Sequence, residues 1–359
     1  MIRLQPEEQK SLAQYVYSLC AITLDESKGY LIESRLAGLV EETGCVSYGG
    51  LLLRARSDSS RALDRRIVDA ITTNETLFFR DTAPFDLLRH KIIPELIDHR
   101  ARTGAARIRI WSAACSTGQE LYSIAILLKE LLGDPDRYGV SLLGTDISDA
   151  AVARASSGRF SPIEISRGLS EAQRTRYFVS AAGEWQIRDE IRAMASFRKL
   201  NLMANFSALG RFDVIFCRNV AIYFTERDRI SLFGRIERAL EPGGSLVIGC
   251  LLYTSLPFPG SSRPSGRLLP PPGPAGRKPT PPASVCEPPS WRSREGRSEY
   301  SAAPRRYRGP FRPACALADP SRRAIPARPF PECRSWGFGS VSYTHLRTTR
   351  VRLIAKRKK

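Results

Sequence analysis

Histidine and paired cysteines are both scarce in this chain. Three histidines occur in 359 residues, at positions 90, 99 and 345, and the eight cysteines form no C-x-x-C pair. Structural zinc sites combine cysteine and histidine at short, regular spacings, so no metal site is expected. The cysteines within the first 250 residues lie in apolar or small-residue runs, which are typical of buried reduced thiols.

Long apolar runs are absent as well. No stretch of about 18 apolar residues occurs, which is the length that a membrane-spanning helix needs. The N-terminus, Met-Ile-Arg-Leu-Gln-Pro-Glu-Glu, lacks the apolar region of a signal peptide. The sequence therefore predicts a cytoplasmic protein without membrane insertion.

Positive charge is concentrated at the C-terminal end. The chain carries a net charge of +19, of which residues 251–359 contribute +17 through 22 lysines and arginines against five acids. The first 250 residues carry only +2. A specific nucleic-acid partner, which the overall charge would suggest, is therefore not predicted.

The same region, residues 251–359, holds 19 of the 25 prolines and has no apolar periodicity. Proline interrupts helices and central strands. We predict a disordered Pro/Arg-rich tail, because such a segment buries too little apolar surface to offset its loss of conformational entropy. Its composition also resembles GC-rich DNA translated in the wrong frame, which predicts a frameshift or assembly artefact; a genuine basic tail is the alternative.

The first 250 residues divide into a helical and an alternating region. Residues 1–70 show apolar residues at helical spacing and no strand pattern, which predicts a small all-helical domain. Residues 71–250 alternate strands and helices, which indicates an α/β domain with a doubly wound parallel sheet. Ligands of such sheets bind at the carboxyl ends of the strands. Within this domain, residues 157–200 predict an inserted β subdomain with a small antiparallel hairpin.

Small residues follow the first predicted strand, in the segment Ser112-Ala-Ala-Cys-Ser-Thr-Gly-Gln-Glu120. Small side chains let a ligand approach the backbone, and the start of the next helix offers free N–H groups. The segment has a single glycine and therefore lacks the dinucleotide fingerprint. An ordinary tight strand–helix turn is the alternative.

Polar residues follow two further predicted strands. Asp146 ends the second one, where an acid can accept hydrogen bonds from ribose hydroxyls, although it could equally cap the next helix. Arg218 and Asn219 follow the strand predicted at 212–217, and Tyr223 lies just beyond. A core aromatic with a satisfied hydroxyl is the alternative for Tyr223.

A fourth polar segment, Thr72-Thr-Asn-Glu-Thr-Leu-Phe-Phe-Arg-Asp81, lies at the junction of the two predicted domains. Its alternative interpretation is a linker that packs its aromatics on the core, with Arg80 as an ordinary surface charge.

Taken in order, these segments resemble the CheR-type methyltransferases, which methylate glutamate side chains of bacterial chemotaxis receptors. The resemblance covers residues 1 to about 249 and implies a class I methyltransferase fold with S-adenosylmethionine as cofactor. Where the family usually has Glu-Glu-Pro-Tyr-Ser, this chain has Gln119-Glu-Leu-Tyr-Ser, which keeps Glu120. Five motifs carry the resemblance: Asn74-Glu-Thr-Leu-Phe-Phe-Arg80, Trp111-Ser-Ala-Ala-Cys-Ser-Thr-Gly-Gln-Glu120, Thr145-Asp-Ile147, Asn201-Leu202 and Phe216-Cys-Arg-Asn-Val-Ala-Ile-Tyr-Phe224.

The resemblance also implies roles for single residues. Asp146 is expected to bind the ribose hydroxyls of the cofactor. Arg80 and Tyr223 are the expected catalytic residues, which lie near the transferred methyl group and orient the acceptor. Nine residues are expected to bind the cofactor: Asn74, Thr76, Arg80, Glu120, Asp146, Asn201, Leu202, Arg218 and Asn219.

The partner that the resemblance implies is the set of cytoplasmic helices of a methyl-accepting chemotaxis receptor, bound by a monomer. The loop Ala181-Ala-Gly183 is short, which disfavours tethering to a receptor tail. The family continues with about two more strands after Gly249, where this strand pattern stops, so a truncated sheet is expected. A cofactor-binding scaffold or regulatory protein that does not methylate is therefore an alternative. An RNA or small-molecule methyltransferase is another, although the near-neutral first 250 residues argue against RNA.

Overall fold

Four helices form the N-terminal part of this computed structural model, which describes residues 2–103, 107–249 and 350–353. Their apolar faces meet in a core of their own, built around Leu12, Val16, Ile32 and Leu36, all fully buried. The predicted all-helical domain is therefore confirmed. The helices are α1 Pro6–Cys20, α2 Gly29–Glu42, α3 Tyr48–Ser57 and α4 Ala62–Ile71.

A parallel sheet forms the centre of the second domain. Its strands are β1 Ile108–Ala113, β2 Val140–Asp146, β6 Ala195–Lys199, β7 Phe212–Cys217, β8 Leu240–Ile248 and β9 Arg350–Leu353. Their order across the sheet is β6-β2-β1-β7-β8-β9, and every pair of neighbours is parallel. The predicted doubly wound α/β sheet is therefore confirmed.

Helices cover both faces of this sheet. Alternate residues of one strand contribute to different apolar cores: in β7, Val214 and Phe216 belong to one, and Ile215 and Cys217 to the other. This is the period-two alternation of a strand buried on both faces. No helix within the described residues is long and apolar enough to cross a membrane. The helices are α5 Thr82–Leu87, a π-helical turn Leu88–Ile92, α6 Ile93–Thr103, α7 Gln119–Leu132, α8 Asp149–Ser157, α9 Pro162–Ser166, α10 Glu171–Tyr177, α11 Asp189–Arg192 and α12 Glu226–Arg238.

A small antiparallel sheet interrupts the second domain, as predicted. It consists of β3 Arg159–Phe160, β4 Phe178–Ala181 and β5 Glu184–Ile187, in the order β3-β5-β4. The connection between β4 and β5 is the two-residue turn Ala182-Gly183, and both residues have positive φ, 50° and 82°. Such turns match the twist of a hairpin.

The predicted extent of this insert, residues 157–200, is too long. Strand β6, Ala195–Lys199, pairs in parallel with β2 and so belongs to the main sheet. It is an edge strand whose residues are all exposed or partly exposed. Because it lacks the continuous apolar run of a central strand, the sequence pattern did not reveal it.

Four residues of the predicted tail add a strand to the main sheet. Strand β9 pairs in parallel with β8, from Ser245 opposite Arg350 to Ile248 opposite Leu353. Without it, β8 would be an edge strand with unpaired backbone groups, and Arg-Val-Arg-Leu has the alternation of a strand. The other residues of the predicted tail lie outside the described residues.

Candidate active site

All ten predicted site residues line one cavity at the carboxyl edge of the main sheet. They come from the segment between α4 and α5, the start of α7, the end of β2, and the segments that follow β6 and β7. The fold therefore brings together residues that are up to 149 positions apart in sequence. The ten are Asn74, Thr76, Arg80, Glu120, Asp146, Asn201, Leu202, Arg218, Asn219 and Tyr223.

The loop between β1 and α7 forms the floor of this cavity. Ala114, Ser116 and Gly118 have φ values of 62°, 51° and 96°, so the backbone turns sharply three times. A Cβ added to Gly118 would lie 3.0 Å from the Cβ of Ala155 on α8, closer than most such contacts, and would be strained at this φ. Close packing and backbone conformation thus both favour glycine at position 118.

Asp146 binds this loop from the end of β2. Its carboxylate accepts hydrogen bonds from the backbone N–H groups of Ser116 at 2.8 Å and Ser148 at 3.0 Å. Burial raises the pKa of Asp146, and the two N–H groups act in the opposite direction. Asp146 is not the cap of the next helix, because the Ser148 hydroxyl accepts from Ala151 N–H and caps α8.

Arg218 joins three parts of the site. Its Nη1 donates to Glu120 Oε2 at 2.9 Å, and its Nη2 donates to Arg80 O and Asp81 Oδ2, each at 2.8 Å. The other Glu120 oxygen accepts from Ser112 Oγ at 2.7 Å. Arg218 is 5% exposed, and its Nε has no hydrogen-bond partner among the described residues.

The two predicted catalytic residues are partly buried in the cavity wall. Arg80 Nη1 donates to Glu75 O at 2.9 Å. Tyr223 ends a short 3-10 turn, and its backbone carbonyl accepts from Thr23 N–H at 2.9 Å. The Tyr223 hydroxyl has no hydrogen bond to a described residue, so the satisfied core hydroxyl of the alternative interpretation is not found.

Asn201 also contacts the helical domain. Its Nδ2 donates to Leu19 O at 3.0 Å, and its Oδ1 accepts from Met203 N–H at 2.9 Å. Both ends of the amide therefore bind protein groups, and the side chain holds the loop after β6 against the end of α1. The predicted contact of this side chain with the cofactor stays a prediction.

The helical domain forms a wall of the cavity that the sequence motifs did not indicate. Arg35 on α2 donates to Ile71 O and, at 2.9 Å, to Thr73 Oγ1, and so holds the segment that leads to Asn74. No sequence motif marks the residues of this wall, because the wall forms only when the two domains pack together. Six of its residues are Ile22, Thr23, Leu24, Lys28, Leu31 and Arg35.

Two cysteines lie at this edge of the sheet, Cys115 in the loop and Cys217 at the end of β7. Both are almost completely buried. Burial raises the pKa of Cys217 to about 12 and that of Cys115 well above its ordinary value. Burial and the raised pKa of both thiols disfavour the thiolate, which is the form that a cysteine nucleophile requires.

Comparisons with known proteins agree with the motif resemblance. Residues 7–72 match the family profile of the CheR methyltransferase all-alpha domain, and residues 74–251 match that of the CheR methyltransferase SAM binding domain. The chain is 40% identical over 240 residues to chemotaxis protein methyltransferase Cher2 of Pseudomonas putida, which covers 66% of this chain and 86% of that one. It is 41% identical over 240 residues to chemotaxis protein methyltransferase 1 of Pseudomonas aeruginosa, with the same coverage. It is 38% identical over 253 residues to chemotaxis protein methyltransferase 1 of Vibrio cholerae, which covers 69% and 90%.

Proposed function

Since the chain belongs to the CheR methyltransferase family, we propose that it transfers a methyl group from S-adenosylmethionine to glutamate carboxylates of a methyl-accepting chemotaxis receptor. The cytoplasmic helices of that receptor are the proposed partner, and the cytoplasm is the proposed location. One observation carries the assignment of the site: Arg80, Glu120, Asp146, Arg218 and Tyr223 converge on a single cavity at the carboxyl edge of the sheet.

The polar groups of this cavity fit the proposed cofactor. The Asp146 carboxylate accepts two backbone N–H groups and has lone pairs left for ribose hydroxyls. Glu120 is a carboxylate suited to the ammonium of the methionine part. Arg218 Nε is a buried donor without a partner among the described residues, and the methionine carboxylate is an acceptor that it could bind. The small residues of the loop after β1 allow an adenosine to approach the backbone.

The reaction requires orientation more than proton transfer. S-adenosylmethionine supplies an electrophilic methyl group on a sulfonium sulfur. The glutamate acceptor, with a reference pKa of about 4.3, is already ionised at neutral pH, so no general base is needed. Holding the acceptor in line for attack can contribute roughly 7–11 kcal/mol in favourable cases.

Arg80 and Tyr223 are the residues proposed to supply this orientation. The Arg80 guanidinium attracts the anionic acceptor into the cavity and fixes one carboxylate oxygen. The Tyr223 hydroxyl is a free donor within the described residues, and it is placed in the same cavity as Arg80. Two donors directed to a carboxylate suit an anionic acceptor, and no histidine is among the described residues that line the cavity.

Methyl transfer to a purified receptor signalling fragment tests this proposal. We expect alkali-labile methyl incorporation into the receptor, because a glutamate methyl ester hydrolyses in base. Incorporation should disappear when the accepting glutamates of the fragment are changed to alanine. Binding of S-adenosylhomocysteine without transfer to any receptor would contradict the proposal and favour the scaffold alternative.

A further inference from the structure

The backbone around Arg80 is held in an unusual conformation. Phe79 and Asp81, the residues on either side, have φ values of 49° and 59°. Residues other than glycine rarely adopt positive φ values. Strained backbone conformations of this kind persist only where contacts with neighbouring residues stabilise them. They are common at functional sites. The contacts of Phe79 and Asp81 therefore help to fix the backbone that carries the Arg80 side chain, whose Nη1 donates to Glu75 O.

Ser123 fixes the first of these neighbours. Its hydroxyl accepts from Phe79 N–H at 2.9 Å and donates to Gln119 O at 2.6 Å. Ser123 is fully buried on α7, the helix that begins just before Glu120. A rigid helix thus holds the N-terminal side of Arg80 in place.

Asp81 fixes the other side through Arg218. Arg218 Nη2 bridges the Arg80 carbonyl and the Asp81 carboxylate, while Nη1 binds Glu120. The Asp81 side chain is half exposed, and it makes no capping hydrogen bond to α5, which starts at the next residue. The ion pair with Arg218 is therefore the one polar contact of this side chain found among the described residues.

We propose that Asp81 and Ser123 are positioning residues for Arg80 in methyl transfer. This inference rests on the proposed function, since it assigns them to the step in which Arg80 orients the acceptor carboxylate. Neither residue is required to touch the cofactor or the acceptor. Loss of either contact lets Phe79 or Asp81 leave its positive-φ conformation, so the Arg80 guanidinium is displaced while the Asp146 side of the cavity stays intact.

The test uses Asp81→Asn and Ser123→Ala in the full chain. A displacement of about 1 Å can cost up to about 100-fold in rate, so we expect each change to lower kcat about 10-fold or more. The dissociation constant of S-adenosylhomocysteine should change less than about threefold, because Glu120 and Asp146 keep their contacts. Asp81→Glu, which retains the charge, should restore part of the rate.

Matched controls separate this effect from general destabilisation. Asp86→Asn removes an exposed carboxylate from α5, and Ser156→Ala removes a hydroxyl that donates to the carbonyl four residues before it on α8, as Ser123 does on α7. Both controls should keep the original kcat. The same changes in an Arg80→Ala background decide the route: if Asp81 and Ser123 act through Arg80, they cause no further loss there.

Amide hydrogen exchange of the peptide that contains Phe79 and Arg80 supplies a readout independent of activity. Ser123→Ala should increase exchange at Phe79, whose N–H loses its acceptor. Equal rate losses with and without Arg80, or unchanged exchange, would overturn the inference. If the unaltered protein methylates no receptor, the proposed function fails, and the exchange experiment still decides whether Ser123 holds this segment.

Discussion

Strand β7 carries a buried carboxylate–arginine network at each of its ends, and the two networks differ. At the amino end, Asp213 pairs with Arg100 on α6 and accepts Arg109 N–H at 2.8 Å. At the carboxyl end, Arg218 binds Glu120, Asp81 and the Arg80 carbonyl. The first network joins regular elements to one another, whereas the second joins a helix start to a loop.

An unpaired buried donor does not distinguish these two ends. The Nε atoms of Arg100 and Arg218 are both buried without a hydrogen-bond partner among the described residues. The difference lies in the surroundings: Arg218 lines the cavity beside loops with five positive-φ residues other than glycine, and Arg100 does not line it. The comparison indicates that backbone strain and the convergence of several side chains on one cavity identify a functional site. A buried ion pair alone does not.

The largest predicted effect is a loss of stability at the amino end of β7. Asp213→Ala leaves Arg100 and Arg109 N–H without their acceptor, so the free energy of unfolding should fall by roughly 3 kcal/mol. Urea denaturation measures this loss. Asp98→Ala, an exposed change on the same helix as Arg100, should stay within about 0.5 kcal/mol of the original protein. A loss as small as that of Asp98→Ala would show that the amino-end network is not structural.

Arg80→Ala should lower activity at the carboxyl end of β7 without destabilising the fold. Turnover should fall about 100-fold, which corresponds to about 2.7 kcal/mol, because the acceptor carboxylate loses its cationic partner. Affinity for S-adenosylhomocysteine should change less than about threefold. Steady-state methylation kinetics together with calorimetry measure the two quantities. Equal losses in both would mean that Arg80 acts mainly in cofactor binding.

Asp146→Asn should weaken cofactor binding itself. The loss of charge-assisted hydrogen bonds is worth about 2 kcal/mol, so affinity for S-adenosylhomocysteine should fall about 30-fold. Binding should be constant around neutral pH and weaken on acidification through the raised pKa of Asp146, above the ordinary value of 3.8. The amide that Asp146→Asn introduces cannot take up this proton, so a variant that kept the same acid-induced loss would contradict the role of Asp146.

The raised pKa of Asp146 affects stability in the direction opposite to its effect on cofactor affinity. Because the folded pKa lies above the unfolded value, the buried charge destabilises the fold at neutral pH, and this cost is relieved as the pH falls through the folded pKa. Asp146→Asn should therefore remove this pH dependence of stability. Its amide has one carbonyl oxygen for the two backbone N–H groups of Ser116 and Ser148, so the melting temperature at pH 7 should not rise.

Tyr223→Phe should have the smallest effect of the four changes. It removes one neutral donor worth about 1 kcal/mol, so turnover should fall about fivefold with little change in cofactor affinity. Comparison with Tyr17→Phe, which removes a hydroxyl that donates to Asp228 at 2.8 Å outside the cavity, controls for general effects. Equal turnover in Tyr223→Phe and the original protein would remove Tyr223 from the catalytic assignment.

Much of the fold and of the cavity was predictable from the sequence. The apolar runs of β1, β2 and β7 and the polar residues after them place Glu120, Asp146 and Arg218 at one edge, because parallel strands end together. The helical spacing in residues 1–70 predicts the first domain in the same way. Both signals are local and periodic.

Four features could not be predicted in this way. The polar edge strand β6 lacks a core pattern, and β9 pairs across more than a hundred residues of sequence. The side-chain partners of Arg218 and Asn201 depend on packing between distant elements, since Arg218 meets Asp81 and Asn201 meets Leu19. No pattern in the sequence distinguishes Ser123 from an ordinary serine on the face of a helix.

Calorimetric titration of the purified full chain with S-adenosylhomocysteine tests the central claim most directly, namely that the cavity at the carboxyl edge binds the cofactor. We predict one binding site per chain, with affinity about 30-fold lower in Asp146→Asn and unchanged in Asp86→Asn. Absence of binding by folded protein, or equal affinity in Asp146→Asn and the original protein, would contradict the assignment of this cavity.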